Sequence, residues 1–365
     1  MKKRILSTVF ALVLLLLSFS LLSPGLKSEE TVYNRYSYMF FGTFDTAISL
    51  IGFSETAEEF DKMAKLAEDL FNQYHREFNQ YLPYEGLNNL YTLNHSAAES
   101  PVAVSQALFD LLSYCKEMQG MTRGTVNIAL GSVLSLWHDE RENAEENPDK
   151  AKLPDPEALK AAAEHTSIDD VILDDAARTV YFQDPLLKLD VGAVAKGYAA
   201  ELVAQALTQA GMRSFIINAG GNVRVGSAPK DGRKGWGIAV QDPDAEVASP
   251  GSGEFLDVFY LSEMSVVTSG DYQRYFTVGG KHYHHLISPK SLMPADYMRS
   301  VSIITRDSGY ADLLSTAVFL MPFEEGLAFV QSLEGVDAVW VLNDRSIHMT
   351  KGAMDAADSQ GATPY

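Results

Sequence analysis

The chain has 365 residues, 46% of them hydrophobic and 21% charged, a balance that lets a globular protein bury a substantial core in one large domain or two modest ones. Its 29 Lys and Arg against 48 Asp and Glu give a formal net charge of -19, a surface that repels phosphate backbones and excludes nucleic acid as a partner. A single cysteine, Cys115, excludes an intramolecular disulfide and any cysteine-based zinc site.

The basic segment MKKR opens the chain, and an uncharged apolar run, ILSTVFALVLLLLSFSLL at residues 5–22, follows it. A basic flank is retained in the cytoplasm, so the chain beyond the run is expected outside it, and the run is about long enough to cross a bilayer. SLLSPGLKSEE has no clear A-x-A cleavage site, and no cysteine follows that could carry a lipid. Residues 1–28 therefore read as a cleaved signal peptide or a retained membrane anchor. Residues 29–353 read as the folded domain and 354–365 as a flexible tail.

YSYMFFGTFDTAISLIGF alternates apolar and polar residues around Gly42 and predicts a hairpin. Residues 56–81 predict a long amphipathic helix with a Thr N-cap and early acids. Residues 105–120 predict a second, which buries Cys115. HDERENAEENPDKAKLPDPEALK is charged and Pro-containing and reads as a surface loop ahead of a short helix near 157–164. DDVILDDAARTVYFQD is strand, turn and strand. LDVGAVAKGYAAELV, at 189–203, opens as a strand with Asp190 facing away from Leu189 and Val191; Gly192 breaks it, and Val194, Tyr198, Leu202 and Ala206 follow at helical spacing. Two strands flank a Gly-Gly turn at 214–227, strands continue through SVVTSGDYQRYFTVGGKHYHHLISP, GYADLLSTAVFLM is a helix, and DAVWVLNDRSIHMT is a terminal hairpin. The pattern predicts a mixed α+β fold with largely antiparallel sheets and packed helices.

Four polar clusters stand out. Asp190, Gly192, Ala193 and Lys196 surround a strand-to-helix turn; a helix N-terminus there favours anions and Lys196 can reach a phosphate, though the order is not that of a Walker loop and a plain Asp–Lys surface turn explains it as well. Asn218, Gly220, Gly221 and Asn222 form either a ligand-approaching turn or an ordinary hairpin. His282 and His284 share one strand face and His285 the other, a conceivable zinc site or exposed histidines. Asp312 and Thr316 share a helix face and pair a carboxylate with a hydroxyl, hard ligands suited to Mg²⁺ or a surface hydrogen bond.

In their order these clusters resemble the ApbE-type FAD:protein FMN transferases, exported or membrane-tethered flavinylating enzymes with an ApbE-like, T-fold-like α+β fold. The resemblance covers about residues 36–350 through the blocks FFGTFDTAI, FNQYLPYEGLNNLYTLN, GTVNIALGSVLSLW, LDVGAVAKGYAAE, FIINAGGNVRVG, TSGDYQRYF, HLISP and ADLLSTAVF. It implies that Mg²⁺ bridges the FAD pyrophosphate, a Thr or Ser hydroxyl of a target attacks the FMN phosphorus, and AMP leaves. It further implies metal ligation by the Ala193 backbone, Asp312 and Thr316. FAD contacts are implied at Phe41, Tyr81, Thr125, Val126, Asn127, Asp190, Lys196 and Leu286, with His285 as the base that takes the hydroxyl proton. Implied partners are FAD, the membrane, and an exported or membrane redox protein carrying a Ser/Thr-Gly-Ala-Thr motif. Departures from the family pattern are Phe41 for Met, Asn127 for Asp, Asn222 for Asp, and Ser288 for Asp or Asn. They keep a second function open, an exported FAD-binding protein without turnover or an FAD pyrophosphatase. Gly361, Ala362 and Thr363 reproduce the end of the target motif with Gln360 in place of its Ser or Thr, so the tail reads as featureless or as a site of self-modification at Thr363.

Overall fold

Alternation of side chains along extended segments dictates the architecture of the computed structural model, which describes residues 31–245 and 255–365. The expected leader, with its apolar run at 5–22, lies outside the described residues. The strands are β1 (Asn34–Thr43), β2 (Thr46–Ser54), β3 (Val102–Ala103), β4 (Val171–Asp174), β5 (Thr179–Phe182), β6 (Phe215–Ala219), β7 (Asn222–Val225), β8 (Trp236–Gln241), β9 (Phe255–Leu261), β10 (Ser265–Gly270), β11 (Tyr275–Val278), β12 (Lys281–His284), β13 (Met298–Thr305), β14 (Asp337–Leu342) and β15 (Ile347–Met349). The helices are α1 (Ala57–Phe78), α2 (Leu90–Ser96), α3 (Gln106–Met121), α4 (Gly131–Glu146), α5 (Pro156–Ala163), α6 (Ala195–Gln209), α7 (Ser308–Phe319), α8 (Phe323–Gln331) and α9 (Lys351–Ala356).

Eight strands form one antiparallel sheet in the order β1-β2-β6-β7-β10-β13-β14-β15. Neighbouring residues enter opposite cores: Val267, Ile303, Ala338 and Trp340 pack under the helices, while Val266, Ile304 and Val339 pack under the β8–β9 ribbon and α9. A third cluster joins α4 and α5 to the β11–β12 hairpin through Val133, Trp137, Leu159 and Phe276. The mixed α+β expectation holds, and the first hairpin turns through Phe44 and Asp45, both at positive φ. Thr56 caps α1 in a reciprocal capping box with Glu59, and Cys115 is buried in α3.

Three expectations need correction. The charged stretch after Trp137 continues α4 through Glu146 and is not a loop, because Val133, Trp137 and Ala144 face the third core. Leu189 to Val191 join no sheet; the chain is extended there, with one isolated parallel bridge from Lys188 to Leu130. Asn94 clamps Leu189 instead, donating to its carbonyl at 2.9 Å and accepting from its N–H at 2.7 Å. The tail is held, not free. Ala357 bridges Phe259, the Asp358 carboxylate accepts from Tyr260, Ser359 donates to Asp257, and the Lys234 N–H donates to the Pro364 carbonyl at 2.6 Å. That places Gly361 to Thr363 beside the ribbon.

Among the described residues, no helix is long and apolar enough to cross a membrane.

Candidate active site

A cavity of about 390 Å³ opens where the turn before α6, the face of α7, the end of β10 and the segment after β12 meet. Its floor is the Asp190 turn. One Asp190 oxygen accepts from the Gly192 N–H at 2.7 Å, an Asx-type bond that fixes the turn, and the other accepts from Gln80 Nε2 at 2.7 Å. Gln80 also donates to the Tyr81 hydroxyl at 2.9 Å, so the turn and the mouth of the cavity are one hydrogen-bonded unit. Tyr81 stacks on His138, with ring centroids 4.6 Å apart. Partial burial and the Asp190 charge both push the Tyr81 hydroxyl up, which keeps it neutral.

The helix that follows starts irregularly. In a regular helix the Gly197 N–H would bond the carbonyl of Ala193; here it donates to Asp312 Oδ2 at 2.7 Å. No described backbone N–H donates to the Ala193 carbonyl, and Ala193 lines the cavity. This close approach requires Gly197, since a Cβ would stand 2.2 Å from the Ser308 carbonyl oxygen and 2.5 Å from Asp312 Cβ. α7 then presents Asp312 and Thr316 to the same cavity. Burial pushes the Asp312 carboxyl up, while Lys196, the Gly197 N–H and Asn222 favour its charge. Asn222 Nδ2 is buried, lines the cavity, and makes no hydrogen bond of normal geometry. Ser315 donates to the Asp312 carbonyl at 2.9 Å, so Ser269 donates to Ser315 across 2.8 Å, which ties β10 to α7.

Three oxygen donors of carbonyl, carboxylate and hydroxyl type fit a hard divalent cation such as Mg²⁺. They do not fit zinc: no group of three His, Cys, Asp or Glu side chains converges among the described residues. The three neighbouring histidines diverge. His282 is exposed and stacks on Tyr275, while His284 donates through Nε2 to the Ala295 carbonyl and accepts from the Leu286 N–H at Nδ1. His285 turns into the cavity.

The Nδ1 of His285 lies 3.2 Å from the Arg274 carbonyl, so the neutral ring carries its proton there and leaves Nε2 unprotonated. Burial first, then the adjoining Arg274, His284 and Lys196 charges, push this imidazole down to about 3. Lys196 and Arg274 both line the cavity, and neither forms an ion pair among the described residues. Two cations outside any ion pair, in a strongly acidic chain, suit this cavity to an anionic ligand.

Tyr81, Thr125, Val126, Asn127, Asp190, Ala193, Lys196, His285, Leu286, Asp312 and Thr316 all line this one cavity, although they span more than two hundred residues of chain. The Thr125 hydroxyl is donated to the Thr122 carbonyl at 2.7 Å. The Asn127 amide is also spent locally, on the Thr166 carbonyl and the Ala129 N–H. Phe41 is a correction. It is 70% exposed and lies outside the cavity, because β1 turns Phe40 into the core and so turns Phe41 out; Phe44, in the following turn, lines the cavity instead. Sequence reasoning missed Arg274, Gln80, His138 and Arg141, which reach the site through the fold. Arg274 in TSGDYQRYF and Gln80 in FNQYLPYEGLNNLYTLN were the two that lay inside a visible motif.

The chain is similar to known proteins of one family. The pattern of the ApbE family matches residues 44–340. An FAD:protein FMN transferase of Klebsiella pneumoniae (strain 342) is 32% identical over 256 residues, 70% of this chain and 75% of the relative. One from Treponema pallidum (strain Nichols) is 33% identical over 279 residues, 73% and 74% of the two chains. The crystal structure of the ApbE protein of Thermotoga maritima superposes with a TM-score of 0.76 at 26% identity, covering 87% of this chain and 98% of that one. With the family pattern running from the first hairpin turn to β14 and enclosing Ala193, Asp312 and Thr316, the chain belongs to the ApbE family.

Proposed function

We propose that this chain is a Mg²⁺-dependent FAD:protein FMN transferase that acts outside the cytoplasm, held at the membrane by its N-terminal segment. The observation that carries the reading is the convergence of the Ala193 carbonyl, Asp312 and Thr316 with the unpaired Lys196 in one cavity. Mg²⁺ held by those three donors would offset the charge of the FAD diphosphate and of the departing AMP.

The chain's own residues account for the rest. Lys196 and Arg274 bind the diphosphate by charge, and the Asp190 turn holds Lys196 at the start of α6. His285 Nε2 accepts the proton of the attacking hydroxyl, while Nδ1 stays tied to the Arg274 carbonyl. The acceptor oxygen forms a bond to the FMN phosphorus, the bond from that phosphorus to the bridging oxygen breaks, and AMP leaves with the bridging oxygen. A bound diphosphate also compensates Lys196 and Arg274, so it raises the affinity of His285 for the proton when the proton has to move.

The test is incubation with FAD, Mg²⁺ and an exported redox protein carrying a Ser/Thr-Gly-Ala-Thr segment, followed by flavin fluorescence in a denaturing gel. A fluorescent acceptor band is expected. Release of FMN and AMP without a band would make the protein a pyrophosphatase, and FAD binding without either product a carrier.

A further inference from the structure

Arg299 and Arg224 are both taken up by carboxylates, but they stand differently to the cavity described above. Arg299 bonds Asp271 at 2.7 Å and Asp244 at 2.6 Å. These three residues line a second cavity, of about 640 Å³, bounded by the 293–299 segment, the β11–β12 hairpin and the chain just after β8; Tyr283 and His284 belong to both linings, so the two cavities share a wall. Arg224, on β7, serves the first cavity from behind. Its Nε donates to Glu201 Oε2 at 2.8 Å, and the two side chains are only 16% and 10% exposed, against 26% for Arg299 and its partners.

Glu201 lies on α6 and bonds beyond it. The Ser308 N–H, at the first position of α7, donates to the same Oε2 at 3.1 Å, and Gln205 Nε2 donates to Oε1 at 3.1 Å. The Ser308 bond mirrors the one from the Gly197 N–H to Asp312. A backbone N–H of α6 meets a carboxylate of α7, and one turn away, about 5.4 Å, a backbone N–H of α7 meets a carboxylate of α6. Ala193, Gly197 and Glu201 stand four residues apart going into α6, and Thr316, Asp312 and Ser308 stand four apart going back along α7. Each stripe starts at a proposed metal donor and ends at the Glu201–Ser308 bond. One cross-bond alone leaves α7 free to pivot about it, whereas two set both the separation and the tilt of the helices. Between them Gly309 keeps the approach close, since a Cβ there would stand 3.1 Å from Tyr198 Cα.

An apolar pair of similar volume would hold the helices together about as firmly as a buried ion pair. It would also tolerate sliding, which a hydrogen bond does not. What Glu201 and Arg224 add is register. Arg224 stands two residues along β7 from Asn222, which lines the cavity, so the strand braces the same helix pair at both levels.

We propose that Glu201 is a positioning residue of the cation site: held by Arg224, it accepts the Ser308 N–H and so keeps Ala193, Asp312 and Thr316 at the spacing that a small divalent cation requires. This rests on the Mg²⁺ reading above. Mg²⁺ demands near-ideal octahedral geometry, and Ca²⁺ tolerates a looser one. Loss of the second cross-bond therefore penalises Mg²⁺ more than Ca²⁺.

The experiment compares two double variants that differ only in the acceptor at position 201. Glu201→Leu with Arg224→Met removes it, and Glu201→Gln with Arg224→Met keeps an amide oxygen there. ADP carries a diphosphate and no flavin to transfer, so its affinity is measured by calorimetry in EDTA, in MgCl₂ and in CaCl₂, with melting curves to establish that each variant is folded. In the leucine variant, ADP affinity should be unchanged in EDTA, about tenfold weaker in MgCl₂ and less affected in CaCl₂, and half-saturating Mg²⁺ for FMN transfer should rise by a similar factor. The glutamine variant should keep wild-type values. Ser308→Pro removes the N–H from the other side, at a first helical position where proline is accommodated, and should repeat the leucine result if that variant does not fold. Wild-type behaviour in MgCl₂ without the acceptor or the N–H, equal losses in the leucine and glutamine variants, or equal losses in EDTA and MgCl₂ would overturn the proposal. A wild-type protein whose ADP affinity ignores MgCl₂ breaks the Mg²⁺ reading itself, which separates the two failures.

Discussion

Two cavities meet at one wall, and they are opposite in what they lack. The first has cations that form no ion pair: Lys196 and Arg274 face it unpaired among the described residues. The second has a carboxylate oxygen without a donor, and its arginine is taken up between Asp244 and Asp271. Pairing Arg299 adds stability, while leaving Lys196 and Arg274 unpaired adds none. The difference teaches that one cavity keeps its cations out of ion pairs while the other spends its arginine on two carboxylates.

The sharpest way to break this contrast is Asp312→Asn. The amide oxygen can still accept from Gly197, so the fold survives, while the only charged oxygen among the three proposed metal donors is gone. Transfer should fall by several kcal/mol of transition-state stabilisation. Full activity at limiting Mg²⁺ would remove the cation from the first cavity altogether. His285→Ala comes next. The rate of transfer should drop by about 10² to 10⁴, with FAD affinity nearly kept; single-turnover kinetics separate the two, and an unchanged rate would require another base.

A matched pair tests the cations themselves. Lys196→Ala should weaken FAD binding by on the order of 1.5–3 kcal/mol and leave the melting temperature in place. Arg299→Ala should do the reverse, lowering the melting temperature because two carboxylates lose their partner while FAD titrates as before. Equal losses of FAD affinity in both variants would erase the distinction between the cavities.

The smallest effect is in pH. The folded imidazole of His285 is held down to about 3, against an ordinary value of 6.5. Between those values the unfolded chain binds a proton that the folded chain does not, so stability falls as pH drops from 6.5 toward 3, by at most about 1.4 kcal/mol per pH unit for this group. Denaturant titrations between pH 6.5 and 5 should show a shallower loss in His285→Gln, and added FAD should reduce the slope in the wild-type chain.

Much of this was written in local signals. The capping box of α1, the positive-φ turns and the period-two strands need only neighbours in sequence, and the central sheet follows from them. Strand parity also placed Phe41 outside, once Phe40 is core, and a motif match overrode it. The helix at 131–146 carried its signal in Val133 and Trp137, which the surrounding charges hid. The β8–β9 ribbon went unread although Trp236, Ile238 and Val240 alternate with exposed residues. Other parts had no local signal at all. Gln80 meets Asp190 across 110 positions, and the tail is fixed by Asp257 and Tyr260 across about a hundred. Such contacts belong to the folded chain, and no window of sequence contains both partners.

The missing side chain at Gly197 reaches further than its own turn. Its N–H and its bare Cα set how near α6 comes to α7, and so how near the Ala193 carbonyl comes to Asp312 and Thr316. Gly197 carries no side chain of its own, yet any heritable change there would enter the molecule as a wedge between two helices and leave it as a mis-spaced set of the three proposed metal donors. A lesion at residue 197 would therefore present in a genetic screen as lost activity with a nearly complete set of active-site residues.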